Sequence, residues 1–467
     1  MVASSGSGEG GTFPCPALAS VTATAYGLCG GARAPRNSRD FNGAAPRGGL
    51  GLTDERVPLS LEVKSTLYRD GALADGRSER LQLGVSILVV DGRIAWIRPS
   101  DDEGPLPPGG TAAVDVVDVV DAGGSTFIPG MVDCHSHLTL PGGAHWIARI
   151  DDPPKRLLAV AEANGRLMTG SGVRWARDVG APRVADPVDG RVRALSLGVR
   201  DRWRGKRGFP HVRAAGTWLD RAGTMPGERS VEARDADELL MLAMAQLEDG
   251  ADLLKLYLDG PEPGVSPWTR TELGPVISAA HARGVKVTAH SGNLAGAREG
   301  VAAGVDALEH GMELDAEVAA AMAAAGAALV STLAVFRSWR SFGDTTLIPR
   351  FASAEGRARV LARQERAVES VRLAHTAGVA IATGTDFGGG STRANQLAWE
   401  VESLVAAGLQ PWEALASATW RGGELLGEPE AGVIREGGPA DFSLVHGDPL
   451  SDPTALWRVW HVAWAAD

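Results

Sequence analysis

Cysteine is scarce in this chain of 467 residues: only Cys15, Cys29 and Cys134 are present. Three cysteines cannot build a disulfide framework, so a reducing, cytoplasmic location is expected. No run of eighteen apolar residues occurs, which argues against a membrane-spanning helix and a membrane partner. No Lys or Arg precedes Arg33, and the stretch 17–28 is interrupted by Ser, Thr and Tyr, so an export signal is not expected either. Basic residues are outnumbered (46 against 57 acidic, net charge −11), and no basic tract offsets the excess, which disfavours a nucleic-acid surface. What remains is an ordinary soluble composition, 44% apolar and 22% charged.

Residues 1–57 are rich in Gly, Ala, Ser, Pro and Arg without apolar periodicity, and read as a disordered tail. Short β-rich runs follow, and Asp91-Gly92 between two of them signals a tight hairpin. From Phe127 onward, apolar runs alternate with Ala-rich amphipathic stretches. Strands are expected near 127–133, 173–178, 211–216, 252–258, 285–290, 306–310, 328–333 and 379–386. Eight such strands can close a parallel (β/α)8 barrel. Between them, Thr269-Arg-Thr-Glu272 reads as a capping box opening a helix, and 315–325 and 353–377 read as helices. Ala440–Val445 and 459–464 return to strand-like sequence. The fold class expected is therefore α/β. A distorted barrel over 126–427 would be inserted into a small composite β-sandwich formed by 58–125 and 428–467.

Chemistry-bearing residues end several of those runs. His135 and His137, two apart on a strand, direct both imidazoles to one face. Lys255 lies in the apolar run Asp252–Leu258, where an unpaired ammonium is costly to bury. Two readings stand for it. It pairs with Asp386 or Asp259, or reaches solvent; alternatively its desolvated amine takes up carbon dioxide as a carbamate able to bridge two cations. His290 and His310 each end a strand and are either satisfied core histidines or metal ligands. Asp386 ends the eighth strand as a carboxylate that must be paired or metal-bound. The successive intervals, Lys255 to His290, His290 to His310 and His310 to Asp386, are 35, 20 and 76 residues. Those are the lengths of one, one and two strand–helix units, so a barrel would bring all of them to one rim.

These fragments resemble the amidohydrolase superfamily. So do Gly92-Arg-Ile94, Phe127-Ile-Pro-Gly-Met-Val-Asp133, Gly304-Val-Asp-Ala-Leu-Glu-His-Gly311, Gly384-Thr-Asp386, Gly438-Pro-Ala-Asp441 and Gly447-Asp-Pro-Leu450. The lysine on strand four is similar to that of the binuclear, carboxylated-lysine branch, which includes prolidase-like dipeptidases, and imidazolonepropionase-related hydrolases share the barrel. The resemblance implies two divalent ions, zinc fitting the nitrogen-rich ligand set best. It places one ion on His135, His137 and Asp386 and the other on His290 and His310, with carbon dioxide carried as the Lys255 carbamate between them. It implies a metal-dependent hydrolase cleaving an amide, peptide-like, carbamate or cyclic amide bond through a bridging hydroxide, with Asp386 as general base and then acid.

Two departures separate the chain from prolidase-like members: Ser291 stands where a tyrosine often follows the strand-five histidine, and Ala222-Gly-Thr-Met-Pro-Gly227 replaces a Gly-Gly-His run. Alternatives are a mononuclear deaminase or imidazolonepropionase-like ring hydrolase, against which Asn293 replaces the usual deaminase Glu, and a catalytically inactive scaffold. A small-molecule substrate is expected, and the superfamily's habit of self-association makes a homo-oligomer an open alternative to a monomer. For substrate binding, Tyr257 and His145 are candidates together with the loop residues Trp146, Trp268, Phe336, Arg337, Trp339, Arg340, Arg393 and Asn395.

Overall fold

A computed structural model describes residues 65–104, 117–225, 230–262 and 264–465. The tail expected over 1–57 lies outside the described residues, as do the first residues of the expected β domain. Everything described belongs to one unit, Ser60–Asp467.

Eight parallel strands carry the site. They are β1 (Met131–Ser136), β2 (Val173–Asp178), β3 (His211–Ala214), β4 (Leu253–Tyr257), β5 (Lys286–Ser291), β6 (Ala307–His310), β7 (Ala328–Ser331) and β8 (Ile381–Thr383). The first three form one sheet in the order β3-β2-β1. The other five run consecutively through a seven-stranded sheet, extended beyond β4 by the short strands Leu219–Arg221 and Val231–Ala233, which the periodicity did not predict. Parallel bridges also join Ser136 to Phe387 and Ala215 to Leu253, one at each end of this series. The mixed α/β class expected of the chain is met.

The strands read as nearly continuous apolar runs because helices cover them, leaving little solvent-facing alternation. In β4, Leu253, Leu254, Lys255 and Leu256 are all buried. Helix ends follow local chemistry. Thr269 caps Arg270–His281 with a complete capping box to Glu272. Asp315 and Ser353 cap Ala316–Ala325 and Ala354–Thr376 with side-chain hydrogen bonds.

A second, mostly antiparallel sheet gathers both ends of the described chain. Gln82–Val90 and Arg93–Pro99 turn at Asp91-Gly92, both with positive φ, as a type I′ hairpin requires. Phe442–His446 pairs antiparallel with Ser125–Pro129, and Val459–Val462 pairs beside it. The strand expected over 127–133 is thus two strands. Ser125–Pro129 belongs to this sheet, and after Gly130, whose N–H donates to Asp441 O at 2.9 Å, β1 begins in the parallel one. A Cβ on Gly130 would stand 2.4 Å from Arg174 Cγ, so the crossing is tight.

Candidate metal centre

The eight strands deliver their chemistry at their carboxyl ends, where α/β sheets commonly bind ligands. β1 carries His135 as its last residue but one and leads into His137, β5 carries His290 and β6 ends on His310. Lys255 and Tyr257 lie two apart on one face of β4. The register sets Tyr257 beside His290 and Ser291 beside His310. The rings sit within contact range. Centroids are 5.3 Å apart for His135 and His137, 4.6 Å for His135 and His310, and 4.6 Å for His290 and His310. Asp386 Oδ1 lies 3.5 Å from His135 Nε2 and 3.4 Å from His137 Nε2. Ligand atoms of His135, His310 and Asp386 all fall within 4.8 Å of one another.

Each imidazole has one nitrogen engaged by the protein. His135 Nδ1 donates to Glu309 Oε2 at 2.6 Å and His137 Nδ1 to the Gly180 carbonyl at 2.8 Å. His310 Nδ1 is hydrogen-bonded with Thr332 Oγ1 at 2.8 Å, and His290 Nε2 donates to Asp259 Oδ2 at 3.0 Å. The opposite nitrogen of each ring is left for a ligand, the arrangement that outer partners impose on metal-binding histidines. Burial, reinforced by the Lys255 charge and neighbouring imidazoles, holds His135 and His310 well below the usual histidine pKa, in the neutral form a metal requires. Burial brings the Lys255 amine down to about 8, with Glu309 and Asp386 pulling back toward the charged form. The donor set therefore fits divalent cations.

Backbone strain marks the same place. His310 (φ 68°) and Asp386 (φ 51°) are two of four described non-glycine residues with positive φ. The eighth strand is correspondingly shorter than the expected 379–386. Two glycines make the packing possible: a Cβ at Gly384 would meet His135 Cβ at 2.4 Å, and one at Gly389 would meet His137 Cδ2 at 2.4 Å and Asp386 Oδ1 at 2.6 Å.

Behind the imidazoles lies a network that spacing did not reveal. Glu309, fully buried, also receives Arg177 Nη2 at 2.5 Å and the Thr288 hydroxyl. Asp133 accepts from Thr385 and from the His135 backbone N–H, and burial raises its carboxyl to about 7. Asp259, offered by sequence as a partner of Lys255, binds His290 instead. Burial pushes its carboxyl up, but the imidazole and the Gly292 N–H outweigh that and hold it below the usual range. Lys255 Nζ makes no hydrogen bond or ion pair with a described residue.

The cavity over these groups has a volume of about 260 Å³ and is lined by the six candidate ligands together with Tyr257, Trp146, Trp218, Met225, Leu140, Ile150 and Gly389. Tyr257 stacks on His290, centroids 4.2 Å apart. The remaining substrate candidates are elsewhere. His145 is exposed ahead of the helix Trp146–Arg149 and does not line the cavity. Arg337 pairs with Glu402 and faces a separate cavity, Asn395 lines a third, and the Arg393 backbone N–H donates to Gln396. A loop position in sequence carries no periodicity from which its direction can be read.

The sequence profile of the amidohydrolase family matches residues 126–462. The chain belongs to that family. Family members generally use metal ions, in keeping with the His–His–Asp cluster. This amidohydrolase is 27% identical over 406 residues to an imidazolonepropionase of Saccharopolyspora erythraea, covering 80% of this chain and 88% of that protein. It is 25% identical over 451 residues to ochratoxinase of Aspergillus niger, covering 88% and 89%. Among solved structures, a Xaa-Pro dipeptidase with bound methionine superposes with a TM-score of 0.71 at 25% identity, covering 85% of this chain and 98% of that one. The expectation of a hydrolase acting on carbon–nitrogen bonds is met. No described helix is long and apolar enough to cross a membrane.

Proposed function

We propose that this amidohydrolase cleaves a carbon–nitrogen bond of a small molecule at a two-cation centre. His135, His137 and Asp386 would hold one divalent ion, most suitably zinc, and His290 and His310 the second. Lys255 would bridge them as a carbamate. The observation that carries this is the set of four imidazoles, each tied at one nitrogen and open at the other, around a buried lysine with no hydrogen-bond or ion-pair partner among the described residues. In carbamate formation the neutral amine nitrogen bonds the carbon of carbon dioxide and a proton leaves, which the pKa of about 8 favours near neutrality. The parallel bridges at Ser136–Phe387 and Ala215–Leu253 support closure of the two parallel sheets into a distorted (β/α)8 barrel over 126–427, inserted in the terminal β domain.

When bound, such cations supply Lewis acidity toward a carbonyl and toward water. Asp386, against both imidazoles of the His-x-His pair, takes the proton of the attacking water and passes it to the departing nitrogen. Burial and the nearby Asp259 and Asp220 charges raise the Tyr257 phenol, so it stays protonated and serves as a hydrogen-bond donor to the substrate carbonyl. The low-dielectric wall opposite strengthens these interactions.

A single-ion, imidazolonepropionase-like reaction is the second reading, favoured by the three-ligand cluster and by the relative of that name. Against the deaminase form, Asn293 caps the helix Leu294–Ala303 and donates to Asp259, leaving no acid at that position. Elemental analysis decides between them. Two ions per chain with turnover of N-acyl amino acids, dipeptides, carbamates or lactams supports the first reading, one ion per chain the second, and protein that binds no divalent metal would sink both.

A further inference from the structure

The wall facing the ligands is of a different chemistry from the ligands themselves. Leu140, Ile150 and Trp218 form a small buried apolar cluster with Met225 packed against it, and Trp146 and Tyr257 complete the lining. Among the described residues no arginine lines the cavity, and Lys255 stands within the ligand set. Arg337 is paired with Glu402, and Arg350, lying over the Trp146 ring at 5.7 Å, does not reach the lining.

Trp218 is the fixed part of this wall. Its ring lies 5.3 Å from that of His137, and it packs so closely on Gly180 that a Cβ there would stand 2.4 Å from its Cε2. Gly180 is also the carbonyl that holds His137 Nδ1, so the indole and the ligand imidazole are positioned by one residue. The indole is 7% exposed, leaving an aromatic face beside the reacting groups. Against the indole a carboxylate would lose its hydration with no cationic side chain among the described lining residues to pair it, the cations when bound being engaged by the scissile carbonyl and the water, whereas an aromatic ring would gain contact area and ring–ring attraction.

We propose that the substrate of this site presents an uncharged aromatic group beside the scissile carbon–nitrogen bond, seated on Trp218, and that a free carboxylate next to that bond is disfavoured. The proposal rests on the hydrolase reading above. It is tested with zinc-loaded protein on N-phenylacetyl-phenylalaninamide, its free acid N-phenylacetyl-phenylalanine, and ring-free N-acetyl-glycinamide. Release of phenylacetate or acetate reports cleavage of the acyl bond alone. The neutral aromatic compound is expected to exceed both others in kcat/KM by about tenfold or more, the effect of burying one ring or of stranding one charge. Trp218→Ala should lower its kcat/KM about 10- to 100-fold, mainly through KM and with metal content kept, and Trp218→Phe should regain most of that. Preference for the free acid or for the ring-free amide would overturn the proposal and leave the hydrolase reading standing. Loss of metal in Trp218→Ala would overturn it too, by making the indole a support for His137. Failure of fully metal-loaded protein to cleave any carbon–nitrogen bond in these compounds or in the wider panel above would overturn the hydrolase reading itself, and this proposal with it.

Discussion

Strand β2 carries two arginines three residues apart that face opposite sides of the sheet, and both are buried and paired. Arg174 donates to Asp441 Oδ1 through Nη2 at 2.8 Å and lies 3.9 Å from the Trp464 ring. It fastens the parallel strands to the terminal sheet. Arg177 donates through Nε to the Cys134 carbonyl at 2.6 Å and through Nη2 to Glu309, which holds His135, whose Nε2 faces Asp386. One ion pair is a clamp between two layers; the other reaches the candidate metal centre in two steps. Side chain, burial and strand are the same, so the difference comes from what the partner carboxylate touches next.

That contrast can be tested from its strongest end downward. At the end of the inward series, Asp386→Asn should retain metal and lose about 10²- to 10⁴-fold in kcat, the range for a proton-transferring group; normal turnover would remove Asp386 from that role. One step back, Glu309→Ala strands the Arg177 charge and frees His135 Nδ1. Metal affinity should fall about 10- to 100-fold by calorimetric titration and stability by about 3–5 kcal/mol by denaturant unfolding. Metal affinity equal to that of the parent would make the inward pair no different from the outward one.

On the outward side, Asp441→Ala should cost a similar 3–5 kcal/mol with metal affinity unchanged. The smallest effect is in pH. Burial pushes the Asp441 carboxyl up, but the His211 hydrogen bond and the Arg174 charge outweigh it and bring it to about 2. Because the folded value lies below the unfolded 3.8, the stabilisation is complete above about pH 4 and fades as pH falls toward 2. At 1.36 kcal/mol per pH unit it amounts to about 2 kcal/mol. Acid unfolding of Asp441→Asn should lack this portion, and an acid profile identical to the parent's would break the assignment.

The candidate ligand residues could be picked out because strand ends recur at regular intervals: His135, His137, Lys255, His290, His310 and Asp386 each lie in, close or follow an apolar run, and the structure gathers them at one cavity. The capping box at Thr269 and the hairpin at Asp91-Gly92 were equally local signals. Glu309 was in view beside His310, yet nothing in a one-dimensional pattern shows that Arg177 and Thr288 converge on it from two other strands. Of the loop candidates, Trp146 lines the cavity while Trp268, Phe336, Trp339, Arg337, Arg340, Arg393 and Asn395 do not, and the rest of the far wall comes from Leu140, Ile150, Trp218 and Met225. Apolar loop residues look like any others until the loop has a direction.

The pairing of Phe442–His446 with Ser125–Pro129 has a consequence for biosynthesis. The residue that hands the chain into β1, Gly130, is anchored on the backbone of Asp441, and Val132 on that of Ala418. The strand that bears His135 and leads into His137 therefore reaches its final seat only after the ribosome has made those distant segments. A message truncated before codon 441 would yield a polypeptide that contains every candidate ligand residue but lacks the carbonyl that anchors Gly130 at the entry to that strand.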